Sequence, residues 1–176
     1  MPKVRRIGER PTKHDYFLRM ATLVATRGTC ARRAVGCVLV DNHGYVAATG
    51  YNGNGRGQTH CIDKPCAGAY YKSGEGLDKC EAIHAEQNAL LQCKNTQELK
   101  ECYITLSPCV MCVKMLLNTS VSHIIFIEEY VNTDAERIWK NAGRLWTHAN
   151  APLETGVKLG STKRVSKPRK RTLIIF

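Results

Sequence analysis

The chain has 176 residues, 43% of them apolar, and nine cysteines; that suffices for one domain with a real core and falls short of two ordinary ones. No run approaches the roughly 18–20 apolar residues of a membrane helix, and residues 1–11 are basic without the apolar centre of a signal peptide. The expectation is a soluble protein of the cytoplasm, or of the host cytoplasm if viral, with no membrane partner. The formal charge of +11 sits at the ends, with five Lys/Arg against Glu9 in residues 1–14, six Lys/Arg and no acid in residues 161–176, and 15 basic against 14 acidic residues between.

Along the chain, Asp15 to Arg27 places Tyr16, Met20, Leu23, Val24 and Arg27 at helical spacing and meets a stop at Gly28. Val35–Val40 and Tyr45–Tyr51, joined by the turn Asn42-His43-Gly44, predict a β-hairpin. Residues 52–80 are irregular and rich in glycine, with Cys61, Cys66 and Cys80 among them; so long a loop in a compact domain is functional or pinned by something. Ile83–Cys93 predicts a helix, Cys102–Leu106 a strand, Pro108 to Asn118 a helix and Val121–Ile127 a strand. Thr133-Asp134-Ala135-Glu136 is a capping box opening a helix that Gly143 ends, and Leu145–Thr147 is a last short strand. This order predicts an α/β three-layer sandwich, a mixed five-stranded sheet with helices on both faces. A basic arm (1–13) and a basic tail (149–176) flank one domain (14–148). Tails of this kind are solvated, or contact nucleic acid. The apolar end Leu173-Ile174-Ile175-Phe176 is of a kind that often docks.

Without a signal peptide, nine cysteines point to metal binding or buried thiols rather than a disulfide framework. Cys37, Cys93 and Cys102 lie in apolar runs and read as core thiols. Two other segments carry chemistry: His84-Ala85-Glu86, and Pro108-Cys109-Val110-Met111-Cys112. Each opens a helix, where the partial positive charge of the N-terminus favours thiolate. Pro108 fits a helix start, and cysteines three apart face one way. One imidazole and two thiolates make three tetrahedral zinc ligands and leave a fourth position for water. Zinc there would lower that water's pKa, and Glu86, which is not a ligand, would carry the proton. A purely structural zinc site would supply a fourth protein ligand instead.

These two segments match the H-x-E…P-C-x-x-C signature of the zinc nucleobase deaminases. Over residues 14–148 the chain resembles the deoxycytidylate (dCMP) deaminases of the cytidine deaminase superfamily. The resemblance rests also on Ala34–Val40, on Gly50-Tyr51-Asn52-Gly53 before a long insert, on Ile83–Leu90 and on Tyr103–Cys112. It implies a cytidine deaminase-like fold and hydrolysis of dCMP to dUMP and ammonia, feeding thymidylate synthesis. It implies that His84, Cys109 and Cys112 hold the catalytic zinc, that Glu86 is the proton carrier, and that Asn52, Ala85, Ser107 and Tyr130 contact the substrate. It further implies a hexamer, with dCTP and dTTP as effectors at Gly50, Tyr51, Gly53 and Asn54, and Mg2+ accompanying dCTP. A second, structural zinc on Cys30, Cys61, Cys66 and Cys80 would pin the insert. The chain departs from the pattern in its Asn54-Gly55-Arg56-Gly57 continuation and in its basic tails. Arg27, Arg32, Arg33 and Arg56 are the basic residues for a 5′-phosphate. The alternatives are a deaminase of cytosine or adenosine in single-stranded nucleic acid or tRNA, which the long insert would crowd, and a non-enzymatic nucleotide sensor, which has little need of Glu86.

Overall fold

The computed structural model describes residues 10–72, 75–130 and 133–149; most of the basic arm and nearly all of the basic tail, with its apolar end, lie outside them. Five strands form one sheet in the order β2-β1-β3-β4-β5. They are β1 (Gly36–Asp41), β2 (Val46–Tyr51), β3 (Leu99–Leu106), β4 (His123–Glu128) and β5 (Leu145–His148). β1 is antiparallel to both β2 and β3, while β3, β4 and β5 run parallel. The β1–β2 turn is tight, and Gly44 takes φ +84°, a conformation glycine reaches without strain.

Among the described elements, helix α1 (Lys13–Ala25) covers one face alone. The Thr12 hydroxyl accepts the Asp15 N–H at 3.1 Å, so the helix starts two residues before the expected Asp15. Its Phe17, Leu18 and Ala21 bury against Val38 and Val40 of β1, Tyr103 of β3 and Ile125 of β4. The other face carries α2 (Ala85–Gln92), α3 (Val110–Leu117) and α4 (Thr133–Asn141). There Ala85, Ala89, Val113, Leu116, Ala135 and Trp139 pack on Leu39, Ile104, Ile124 and Phe126. The expected mixed sandwich with helices on both faces is what forms. Of the expected core thiols, Cys37 and Cys102 are fully buried and Cys93 packs at the core's edge.

Boundaries moved for identifiable reasons. β3 begins at Leu99, three residues before the expected Cys102, because Glu101, which breaks the apolar pattern, is paired in place. Its carboxylate lies 2.6 Å from the Lys13 ammonium and accepts from the Tyr103 hydroxyl at 3.1 Å. α2 is shorter than Ile83–Cys93 because Ile83 is drawn into a bridge with Gly53. α3 starts after Pro108 and Cys109, with Cys109 in extended backbone as its N-cap. The capping box expected at Thr133 involves a side chain outside the described residues; α4 does end before Gly143.

Candidate active site and metal centre

The N-termini of α2 and α3 meet where β3 ends and β1 begins, the end of a sheet at which α/β proteins bind ligands. His84 is the N-cap of α2, and its own N–H donates to the Gln87 side chain at 2.9 Å, which sets the first turn. Cys109 and Cys112 flank the first turn of α3. The C-terminus of α3 is held in turn by Arg144, whose guanidinium donates to the carbonyls of Leu116, Leu117 and Val121 at 2.7–3.1 Å. The two helices thus hold the three side chains from different parts of the chain.

The His84 Nδ1 lies 3.6 Å from the Cys109 sulfur and 3.4 Å from the Cys112 sulfur. Tetrahedral zinc with Zn–S near 2.3 Å and Zn–N near 2.0–2.1 Å would separate a ligating nitrogen and sulfur by about 3.6 Å. The donor set therefore fits zinc without rearrangement. Among the described residues, these are the one group of three or more His, Cys, Asp or Glu side chains whose donor atoms all lie within 4.8 Å of one another. Three protein donors leave a tetrahedral position open, as a catalytic rather than a structural site does.

Of the three donors, Cys109 is the one held in the form a metal takes. The Cys112 thiol donates to Cys109, and this hydrogen bond, with His84 nearby, holds Cys109 down to about 4. Cys112 is pushed up by the same hydrogen bond and by burial, so the two sulfurs share one proton. His84 is raised, first by its hydrogen bond to Cys109. Glu86, on the first turn of α2, is 4% exposed, and burial pushes its carboxyl up to about 7. A carboxyl at that value exchanges protons near neutral pH, which suits a proton carrier.

The other expected residues have definite structural places. Asn52 is buried; its Oδ1 accepts the Val35 N–H at 2.8 Å and its Nδ2 donates to the Arg33 carbonyl at 2.7 Å. Ala85 is wholly buried under the sheet. Ser107 grips the loop after β4: its hydroxyl accepts the Tyr130 N–H at 2.7 Å, and its N–H donates to the Glu128 carbonyl at 2.8 Å. The backbone of Tyr130 is thereby tied to Ser107, the residue before Pro108. Gly50 packs β2 directly on α2. The Tyr51 carbonyl accepts the Asn88 amide, and Gly53 exchanges two backbone hydrogen bonds with Ile83, next to His84. Asn54 donates to the Thr59 carbonyl at 2.8 Å, and its buried Oδ1 has no partner among the described residues. The Gly-Tyr-Asn-Gly element thus ties the insert to the site.

Of the four further cysteines, Cys61 and Cys66 have their sulfurs 3.6 Å apart, and Cys30 lies near enough to Cys61 and Cys80 to feel their charge. The four do not form a set as compact as the first centre. Among the arginines, Arg33 pairs with Glu128 at 3.4 Å and Arg32 donates to the Lys72 carbonyl. Sequence reasoning missed Gln87, although its position three residues into the helix is the capping-box pattern with His84 as the cap. Cys37, read as a core thiol, has its thiol raised first by its hydrogen bond to Cys102 and further by Glu86 and Cys112.

The family model described as the cytidine and deoxycytidylate deaminase zinc-binding region matches residues 11–128. The chain belongs to this deaminase family. A curated deoxycytidylate deaminase of Saccharomyces cerevisiae is 34% identical over 137 residues, covering 76% of this chain and 44% of that protein. The deoxycytidylate deaminase of Mycobacterium phage D29 is 35% identical over 128 residues, covering 68% and 98%. The chain therefore spans less than half of the yeast deaminase and matches nearly all of the phage one. Among solved structures, the dCMP deaminase of cyanophage S-TIM5 in complex with dCMP and dUMP is similar with a TM-score of 0.64 and 27% identity, covering 80% of this chain and 98% of that one. Acinetobacter baumannii RibD, at 23% identity and a TM-score of 0.54, shares the fold.

Proposed function

We propose that this chain hydrolyses dCMP to dUMP and ammonia with a catalytic zinc on His84, Cys109 and Cys112. The observation that carries the reading is the meeting of those three donors, at zinc spacing, with the buried carboxyl of Glu86. The substrate comes from the deoxycytidylate deaminases it resembles, one of them bound to dCMP and dUMP in its crystals.

Zinc held by His84, Cys109 and Cys112 would supply Lewis acidity toward a water. Glu86 takes a proton from that water and delivers it to N3 of the cytosine ring; the oxygen adds to C4. Glu86 then carries the second proton to the departing amine, and ammonia leaves C4 as a carbonyl. Burial keeps the Glu86 proton from exchanging freely with solvent. Asn52 orients the sugar hydroxyl, the Ala85 backbone and Ser107 bound the base, and Tyr130, held by Ser107, lies over it. The product supplies dUMP for thymidylate synthesis.

The finer reading carries over from the family. The chain assembles as a hexamer, and dCTP, with Mg2+, and dTTP act at Gly50, Tyr51, Gly53 and Asn54. A second zinc draws Cys30 and Cys80 in toward the Cys61–Cys66 pair, whose 3.6 Å separation suits two thiolates on one ion.

Release of ammonia is measured from dCMP, dCTP, deoxycytidine, CMP and single-stranded DNA, with metal content determined alongside. dCMP is expected to turn over fastest, and Glu86→Gln to lose about 10²–10⁴-fold in rate with its zinc retained. Turnover of the strand alone would overturn the substrate, and an active Glu86→Gln would overturn the mechanism. One zinc per chain rather than two would remove the structural site.

A further inference from the structure

The end of the sheet opposite His84, Cys109 and Cys112 holds a cavity of about 770 Å³ that the reaction does not use. Its walls come from three separate segments: Arg10, Lys13 and Tyr16 at the start of α1, Asp41 and His43 in the β1–β2 turn, and Lys100 near the start of β3. Lys100 and Leu106 are six positions apart on β3, a span of about 20 Å between the cavity end and the metal-centre end of the strand.

The charge balance there is one-sided. Asp41 is the acid in the wall, and its Oδ1 already accepts the N–H groups of His43 at 2.9 Å and Tyr45 at 2.8 Å. Lys13 is committed to Glu101 at 2.6 Å. Among the described residues, the side chains of Arg10 and Lys100 have neither an ion pair nor a hydrogen bond, and both stand at one hollow. Tyr16 offers a half-exposed ring beside them. The volume falls in the range of small-molecule sites, roughly 300–1,000 Å³. Converging cations suit phosphate oxygens, Arg through its fork and Lys as a point charge, and an exposed ring suits a base or sugar. In the sequence Lys3, Arg5 and Arg6 precede Arg10.

We propose that this cavity is a second, non-catalytic site for phosphate-bearing ligands, with Arg10 and Lys100 on the phosphates and Tyr16 as the wall. The phosphates belong either to a free nucleotide or to the backbone of a nucleic-acid strand.

The test titrates inorganic tripolyphosphate and a short oligothymidylate into the full chain and into Arg10→Gln/Lys100→Gln, by calorimetry over a range of salt. One saturable tripolyphosphate site is expected, weakened about tenfold or more in the double variant and retained in Lys100→Arg. Turnover of dCMP and the unfolding temperature stay unchanged, because both side chains are exposed and remote from the metal centre. An oligothymidylate that displaces tripolyphosphate and whose salt slope falls by roughly 1.4 in the variant, for two lost contacts, identifies a strand as the source. An oligothymidylate indifferent to the variant, with tripolyphosphate binding lost, identifies a free ligand. The proposal is overturned if wild type does not bind tripolyphosphate, or if the double variant binds it as wild type does.

Discussion

Replacing Asn52 with alanine removes two hydrogen bonds that tie the end of β2 to the chain entering β1. The side chain is 8% exposed, and it serves Val35 at 2.8 Å and Arg33 at 2.7 Å. Alanine leaves a buried N–H and a part-buried carbonyl without their partner, each costing about 1–3 kcal/mol, so a total of about 2–4 kcal/mol is expected once some water enters. A chain of this size loses about 2–4 °C in Tm per kcal/mol, which makes the fall roughly 5–15 °C. Asn52→Asp keeps the acceptor for Val35 and turns an oxygen toward the Arg33 carbonyl, so it falls as well. Differential scanning calorimetry at neutral pH measures both, and dCMP kinetics are taken well below either transition. A raised KM with an unmoved Tm would refute the reasoning, since it would mean that Asn52 serves the substrate alone.

Gly50→Ala should be among the most damaging small substitutions: its Cβ would lie 2.2 Å from the Ala85 carbonyl oxygen and 2.3 Å from the Ala89 nitrogen. Backbone blocks both, so α2 must shift, and a loss of about 1–3 kcal/mol in urea melts is expected together with reduced zinc content, as His84 moves with the helix. Lys13→Met exposes the pairing of Glu101. Burial pulls that carboxyl up, but the Lys13 ammonium and the Tyr103 hydroxyl outweigh it and hold it below its ordinary value. A lowered folded pKa means stability that is present above the unfolded value and lost as pH falls through the folded one. Wild type should therefore weaken on acidification through the carboxylate range, and Lys13→Met should be less stable at neutral pH and show a smaller acid loss, read as urea midpoints against pH. Cys109→Ser removes the sulfur held as thiolate and should empty the metal centre, as metal analysis reads, while far-UV circular dichroism stays native.

The layer architecture and the catalytic elements were legible in the sequence because they rest on local signals. Apolar periodicity marks each strand and helix, and residues such as Pro108 and Gly143 mark where the chain may start or stop a helix. His84, Glu86, Cys109 and Cys112 were legible for a related reason: each pair sits at the opening turn of one helix, and Cys109 and Cys112, three apart, face one way. What local spacing does not contain is which distant groups satisfy a polar residue. Glu101 fell outside the expected strand Cys102–Leu106, and only the fold brings Lys13 of α1 and Tyr103, two residues on, to its carboxylate. Asn52 read as a substrate ligand, and only the folded chain shows that its amide also bonds the backbone of Arg33 and Val35. The separation of the two halves of the metal centre by 25 residues was likewise plain, but its closure to 3.4–3.6 Å depends on β2 and β3 setting α2 beside α3. Composition placed the excess charge in the arm and tail, yet the joining of Arg10 to Lys100 across a cavity came from strand order, which puts the β1–β2 turn, the start of β3 and the start of α1 at one end of the sheet. Residue order decides what a segment can become; long-range pairing, which follows from closing the sheet over one core, decides which groups meet.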